Sequence, residues 1–152
     1  MGHARGNAAC AVFGGKVVVS GGVDRHDGDG MNTAEAYDQD AWSHFPNMNR
    51  GRHSHCLVAA GDKLYAIGGY MTNTCEVYDG TEFVALKQMP GFVDFNKTLV
   101  KAVFIGRKIV VFGDFSSNVA SYHVDEDRWS VEPCEVTKHI GEFICLKVPL
   151  EM

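Results

Sequence analysis

The sequence predicts an all-β chain of three four-stranded antiparallel units followed by one terminal strand. Three observations carry this. First, Arg52–Tyr78 (RHSHCLVAAGDKLYAIGGYMTNTCEVY) holds two apolar runs joined by Gly61-Asp62, then Gly68-Gly69 and a third run. Paired apolar runs across a Gly-Asp turn signal a β-hairpin, and the double glycine suits a strand end that needs positive φ or close backbone approach. Second, two approximate copies flank it: AACAVFGGKVVVSGG ends in Gly21-Gly22 and LVKAVFIGRKIVVFGD ends in Gly113-Asp114. Gly68 lies 47 residues after Gly21 and 45 before Gly113. Third, other landmarks keep step. Arg5, Arg52 and Lys97 each precede the first glycine of their pair by 16 residues. After each pair come Tyr37-Asp38, Tyr78-Asp79 and Tyr122-His123, then Trp42, Phe83 and Trp129. A period of roughly 45–50 residues with four strands per unit is the sequence sign of propeller blades.

Taken in order, each unit divides into strands A to D. In the first unit they are Ala8–Phe13, Lys16–Ser20, Thr33–Tyr37 and Trp42–Phe45. The second has Ser54–Ala59, Lys63–Ile67, Thr74–Tyr78 and Glu82–Leu86, and the third Leu99–Ile105, Lys108–Phe112, Asn118–His123 and Arg128–Val131. The A and B strands are near-continuous apolar runs, as sheets covered on both faces require. A last strand, Glu142–Val148 (EFICLKV), looks like an A strand with no B, C or D after it. The repeats span about residues 4–50, 51–93 and 94–135, with the closing strand at about 139–148, and make one domain of 152 residues.

Composition sets further bounds. With 45% apolar and 22% charged residues the chain is ordinary globular material, long enough for a real core. No apolar run approaches the roughly 18–20 residues needed to span a bilayer. The start, MGHARGNAAC, lacks the apolar centre of a secretory signal and misses the myristoylation pattern at Gly6. Cys10, Cys56, Cys75, Cys134 and Cys145 are spread singly without a CxxC, which reads as reduced core thiols in a cytoplasmic protein. A net charge of −5 argues against sequence-independent nucleic-acid binding.

A basic residue, an apolar strand, a Gly turn, an apolar strand ending in Gly-Gly, then Tyr-Asp and Trp: this pattern resembles the kelch repeat. Arg52–Pro90 is the closest unit, through Arg52, Tyr65, Gly68, Gly69, Tyr78 and Pro90. The second unit departs with Phe83 for Trp, the third with Asp114 for Gly and His123 for Asp. The resemblance implies a partial kelch propeller. Such rings close when a chain end supplies one strand of a composite blade. Because the first unit has its own A strand, the terminal strand implies partners upstream of Met1, and so the C-terminal part of a longer protein. A closed ring takes roughly 4–8 blades, so three leave two faces bare. Missing sequence is expected to complete the ring, in preference to pairing of two copies.

An antiparallel meander places the tight A–B and C–D turns at one end, and the long B–C and D–A loops at the other. Binding residues concentrate on loops held by rigid scaffolds. The B–C/D–A end is therefore the expected recognition face for a partner protein. Its candidates are Arg25, His26, Arg50, Arg52, His53, Tyr70, Phe92, Phe95 and Phe115, since arginines and aromatics dominate protein recognition. Arg52 recurs at a fixed offset and reads first as scaffold. For Arg25, Arg50 and Tyr70, binding and plain solvation fit equally. Phe92 and Phe95 also fit an inward turn under their loop.

No catalytic constellation, metal site or cofactor is expected. The acidic loop Asp24–Gly30 misses the EF-hand spacing, and His53 and His55, expected on one strand face, have no third ligand. G-x-S-x-G, Walker and G-x-G-x-x-G motifs are absent. Asn96-Lys97-Thr98 is a glycosylation sequon expected to be unused. The resemblance is nearest to kelch proteins with BTB and BACK domains. It implies a non-enzymatic propeller that recruits a substrate protein to a cullin-RING ubiquitin ligase, with the cullin held by a BTB domain not present here. An actin-binding scaffold and, less favoured, a kelch-fold copper oxidase or sugar isomerase are the alternatives.

Overall fold

The computed structural model describes residues 1–24, 28–91, 100–113 and 118–133. None of these residues is helical. The first sheet comprises β1 (Ala9–Phe13), β2 (Lys16–Ser20), β3 (Ala34–Asp38) and β4 (Ala41–Phe45). The second comprises β5 (Cys56–Ala60), β6 (Lys63–Ile67), β7 (Cys75–Tyr78) and β8 (Phe83–Ala85). The third comprises β9 (Val100–Ile105), β10 (Lys108–Gly113), β11 (Asn118–His123) and β12 (Arg128–Pro133). Each sheet is an antiparallel meander in chain order. Most strand ends fall within a residue or two of expectation; β5 begins at Cys56 because Ser54, at φ 55, lies outside extended space. The expected terminal strand at 139–148 lies outside the described residues.

The turns follow from residue type. Both residues of Gly14-Gly15 and of Gly106-Arg107 have positive φ, as a two-residue type I′ hairpin needs; at Gly61-Asp62 only the glycine does. Beside the turn that joins the C and D strands, at this same end, an aromatic pair recurs. Tyr37 lies opposite Trp42, Tyr78 opposite Phe83 and Tyr122 opposite Trp129. Their ring centroids are 5.2, 5.6 and 5.1 Å apart. The repeated Tyr and its following aromatic are thus cross-strand neighbours, spaced by turn length alone.

The sheets pack face to face. β1 lies beside β5 and β5 beside β9, so the first strands share one side of the assembly. Between the first two sheets Ala9, Val18, Ala36, Leu57, Leu64, Ala66 and Phe83 are buried, with Phe13, Phe45 and Tyr78 meeting edge-on or tilted beside them. Between the second and third, Val58, Tyr65, Ile67, Val77, Ile109, Val111 and Tyr122 are buried. Removing one such Leu or Ile from water contributes about 1.5–3 kcal/mol. Among the described residues only the second sheet is covered on both faces, so its β6 is almost wholly buried while β4, the outer strand of the first, is exposed nearly throughout. This corrects one expectation: Cys10 is exposed, because it points to the uncovered side of the first sheet, whereas Cys75 is buried. Burial pushes the Cys75 thiol up to about 11.

An ion pair repeats in the first two sheets. Arg52 donates to the carbonyls of Gly68 (2.9 Å) and Thr74 (2.7 Å) and to Glu76 Oε1 (2.5 Å). Arg5 makes the corresponding bonds to Gly21 (2.9 Å), Thr33 (3.0 Å) and Glu35 (3.0 Å). The carboxylates also gather backbone amides, Asn49 and Arg50 on Glu76, Gly2 on Glu35. The third sheet has Ala120 where the carboxylate would stand, two residues before its Tyr122. Arg52 is 2% exposed. Removing one partner of a buried pair strands the other charge, so Arg52→Ala or Glu76→Ala should destabilise by about 3–5 kcal/mol in urea unfolding. A loss below about 1 kcal/mol, the range of exposed pairs, would contradict this account.

Candidate functional site

The B–C and D–A loops meet at one end, as expected, and are joined backbone to backbone. Met48 N donates to Asn32 O (2.9 Å), Arg52 N to Met31 O (3.0 Å), and Gly22 N to Arg52 O (2.8 Å). The approach is close enough to require glycine. A Cβ on Gly30 would lie 2.6 Å from Arg52 N, and one on Gly21 would meet the Arg52 carbonyl and lie 2.7 Å from His55. The loops around Arg52 are therefore a packed ridge.

On that ridge Tyr70 N donates to His53 O (2.9 Å), and the two rings stack at 5.1 Å with planes 27° apart. Tyr70 is 48% exposed and Met71 beside it 63%. Met71 holds φ 55, an uncommon conformation for a non-glycine residue, and the loop is tied below by Thr72 N to Gly69 O and Thr72 Oγ1 to Thr74 Oγ1. Arg50 is exposed, its own amide fixed on Glu76. The result is an aromatic–thioether patch with a cation on the same end, supported from beneath by Arg52. Large rigid side chains, polarizable sulfur and guanidinium are the groups that protein interfaces favour.

Of the expected recognition residues, Arg50, His53 and Tyr70 are at this end and accessible. Arg52 is corrected: it is buried and holds the loops instead of meeting a partner. Arg25, His26, Phe92, Phe95 and Phe115 lie outside the described residues. His53 and His55 do not share an environment. His55 turns into the seam between the first two sheets, where its Nε2 bonds Ser20 Oγ at 2.9 Å and its Nδ1 is buried without a partner among the described residues. No group of three or more metal-ligating side chains occurs among the described residues. An open cleft of about 420 Å³ lies elsewhere, on the first sheet, between Arg5, Thr33, Glu35, Trp42 and His44.

Sequence reasoning missed Met71, the Ser20–His55 contact and the carboxylates Glu35 and Glu76. The last pair had a visible signal: each stands two residues before the repeated Tyr, only in units whose basic residue is Arg. Met71 has no counterpart in the other units, so repetition gave no hint of it.

Three face-packed antiparallel meanders, with the double glycine in the first two and a Tyr facing Trp or Phe in all three, make a partial β-propeller of the kind that kelch repeats build. A family model described as the Kelch motif matches residues 4–49, the first sheet rather than Arg52–Pro90. The first unit keeps Trp42 where the second has Phe83. The solved structure titled "Structure of YjhT" is similar over 91% of this chain with TM-score 0.72 at 14% identity, a likeness of fold alone. The chain spans about half, 54%, of that structure. As many as 133 solved chains match, a breadth that leaves function to the site.

Burial, then the nearby Arg52 and His53 charges, lower the His55 pKa from 6.5 to about 3. Above pH 6.5 the ring is neutral in both folded and unfolded chain and contributes nothing. As pH falls through 6.5 the unfolded chain takes up a proton that the folded seam refuses until about pH 3. Between pH 6.5 and about pH 3 stability should therefore fall by up to about 1.4 kcal/mol per pH unit. Urea unfolding at pH 7 and pH 5 should show a smaller drop for His55→Gln than for the parent. Equal drops would remove His55 from the account.

Proposed function

We propose that the chain is a non-enzymatic, cytoplasmic protein-binding propeller segment. Its finer role is substrate recognition in a cullin-RING ubiquitin ligase adaptor of the BTB–kelch kind. The observation that carries the reading is the exposed Tyr70–His53 stack with Met71 and Arg50 on one rigid end. A preformed patch needs little ordering on binding, so its contacts appear as affinity. Tyr and Arg are the commonest anchors of such energy. The kelch match and the repeated landmarks support a protein-binding propeller, and the ligase role is what the resemblance to BTB–kelch proteins implies. The cullin would be held by a BTB domain, which these residues do not resemble, so this segment alone would bind substrate without bridging to the ligase.

The test is affinity enrichment from cell extract with the parent chain, Tyr70→Ala and Arg50→Ala. Partners of this face should be lost at least about thirtyfold with Tyr70→Ala, the scale of a 2 kcal/mol anchor, with the melting temperature unchanged. Joined to a BTB domain in cells, the parent chain should raise ubiquitin on those partners and the Tyr70 variant should not. Tyr70-dependent co-sedimentation with actin filaments would replace the ligase reading with the cytoskeletal one. Capture indifferent to both substitutions would move the binding face elsewhere.

A further inference from the structure

The outer face of the first sheet is built like a seam, and among the described residues Gly2, His3 and Arg5 reach it only at the loop end, through Glu35. Cys10, Val12, Val17 and Val19 lie 47 residues before Leu57, Ala59, Leu64 and Ala66. The latter face the first sheet, where Leu57, Leu64 and Ala66 are 8%, 0% and 0% exposed. The same positions of the third sheet, Ala102, Phe104, Ile109 and Val111, pack on the second. Trp42 matches Phe83, which is 2% exposed. On the first sheet, by contrast, Val12 is 69%, Val17 38% and Trp42 37% exposed, with Cys10 exposed beside them. Contiguous apolar side chains in this arrangement mark an interface.

The repeat also states what shape covers such a face. In the first seam the cover is Ala11, Phe13 and Val18 of the neighbouring sheet. The third sheet carries Val103, Ile105 and Val110 at the corresponding positions, and Ile105 is 63% exposed. One chain spans about half of the solved structure it resembles. Two copies set head to tail would then meet twice, a heterologous contact that forms a ring when its rotation closes. We propose that this chain, on its own, pairs with a second copy, the third sheet of each seated on the first sheet of the other through Val12, Val17 and Trp42.

Sedimentation velocity of the purified chain across the micromolar range is expected to show twice 16.6 kDa. Val12→Asp with Val17→Asp should weaken association at least about thirtyfold, as loss of an interface anchor does. Both sites are exposed in one chain, so a cooperative urea transition should persist. Val84→Asp, on the exposed outer strand of the second sheet, should leave the dimer intact. Alkylation of Cys10 should slow as concentration rises. A folded monomer throughout, or a dimer indifferent to the Val12 and Val17 changes, would overturn the pairing. Efficient Cys10-to-Cys10 bridging by a short bismaleimide would overturn its head-to-tail sense, because it needs two first sheets face to face.

Discussion

Arg52 and Glu76 form the contact on which the geometry of the recognition end depends. One guanidinium gathers the carbonyl just after β6, the carbonyl that precedes β7 and the carboxylate on β7. The same carboxylate takes the amides of Asn49 and Arg50 from the connection between sheets. Four backbone groups from three separate stretches are thereby placed around one buried charge pair. Such a pair adds little net stability over an apolar filling, but it tolerates few alternative arrangements. Its value here is positional. The loop bearing Tyr70 starts from the glycine pair that Arg52 holds.

The glycines complete that placement. Gly21, Gly30 and Gly51 let the backbone of one unit lie directly against that of the next, so the loops join without intervening side chains. Polar backbone groups that would be stranded by this closeness are paired across the joint. Beneath it lies the apolar cluster of the seam, with Ser20 and His55 bonded to one another on one side of the imidazole. The joint is thus backbone-matched at the loop end and side-chain-packed along the strands. This is how a stack of similar sheets keeps a fixed angle between neighbours.

Most of the architecture was legible because a repeat prints the same physics three times. The offset of Arg5 and Arg52 from the glycine pairs is the reach of one side chain to one carbonyl. The recurring Tyr and Trp or Phe are facing residues across a turn. Units also carried their individual features, and these were harder to read. Arg52 looked accessible as well as structural, since a lone sequence does not say whether a cation faces water or a buried carboxylate. Glu76 would have decided it. Cys10 read as a core residue because its strand is apolar, yet burial depends on a neighbouring sheet, and that is a property of the assembly. Met71 sits in a loop without repeat partners, where only backbone geometry reveals it.

The turns between the third and fourth strands differ in a further way from the loop end. Tyr37, Tyr78 and Tyr122 each pin a facing aromatic while the hydroxyl caps the turn, on Asp40, the Gly80 carbonyl and Asp127. Registration is therefore settled before the chain reverses, and the third unit accommodates a longer reversal than the first without moving its strands. Evolution or an engineer has a permissive port there, on the side remote from Tyr70. A fluorophore, peptide epitope or tether grafted between Asp125 and Asp127 would ride on a rigid mount and leave the opposite surface untouched.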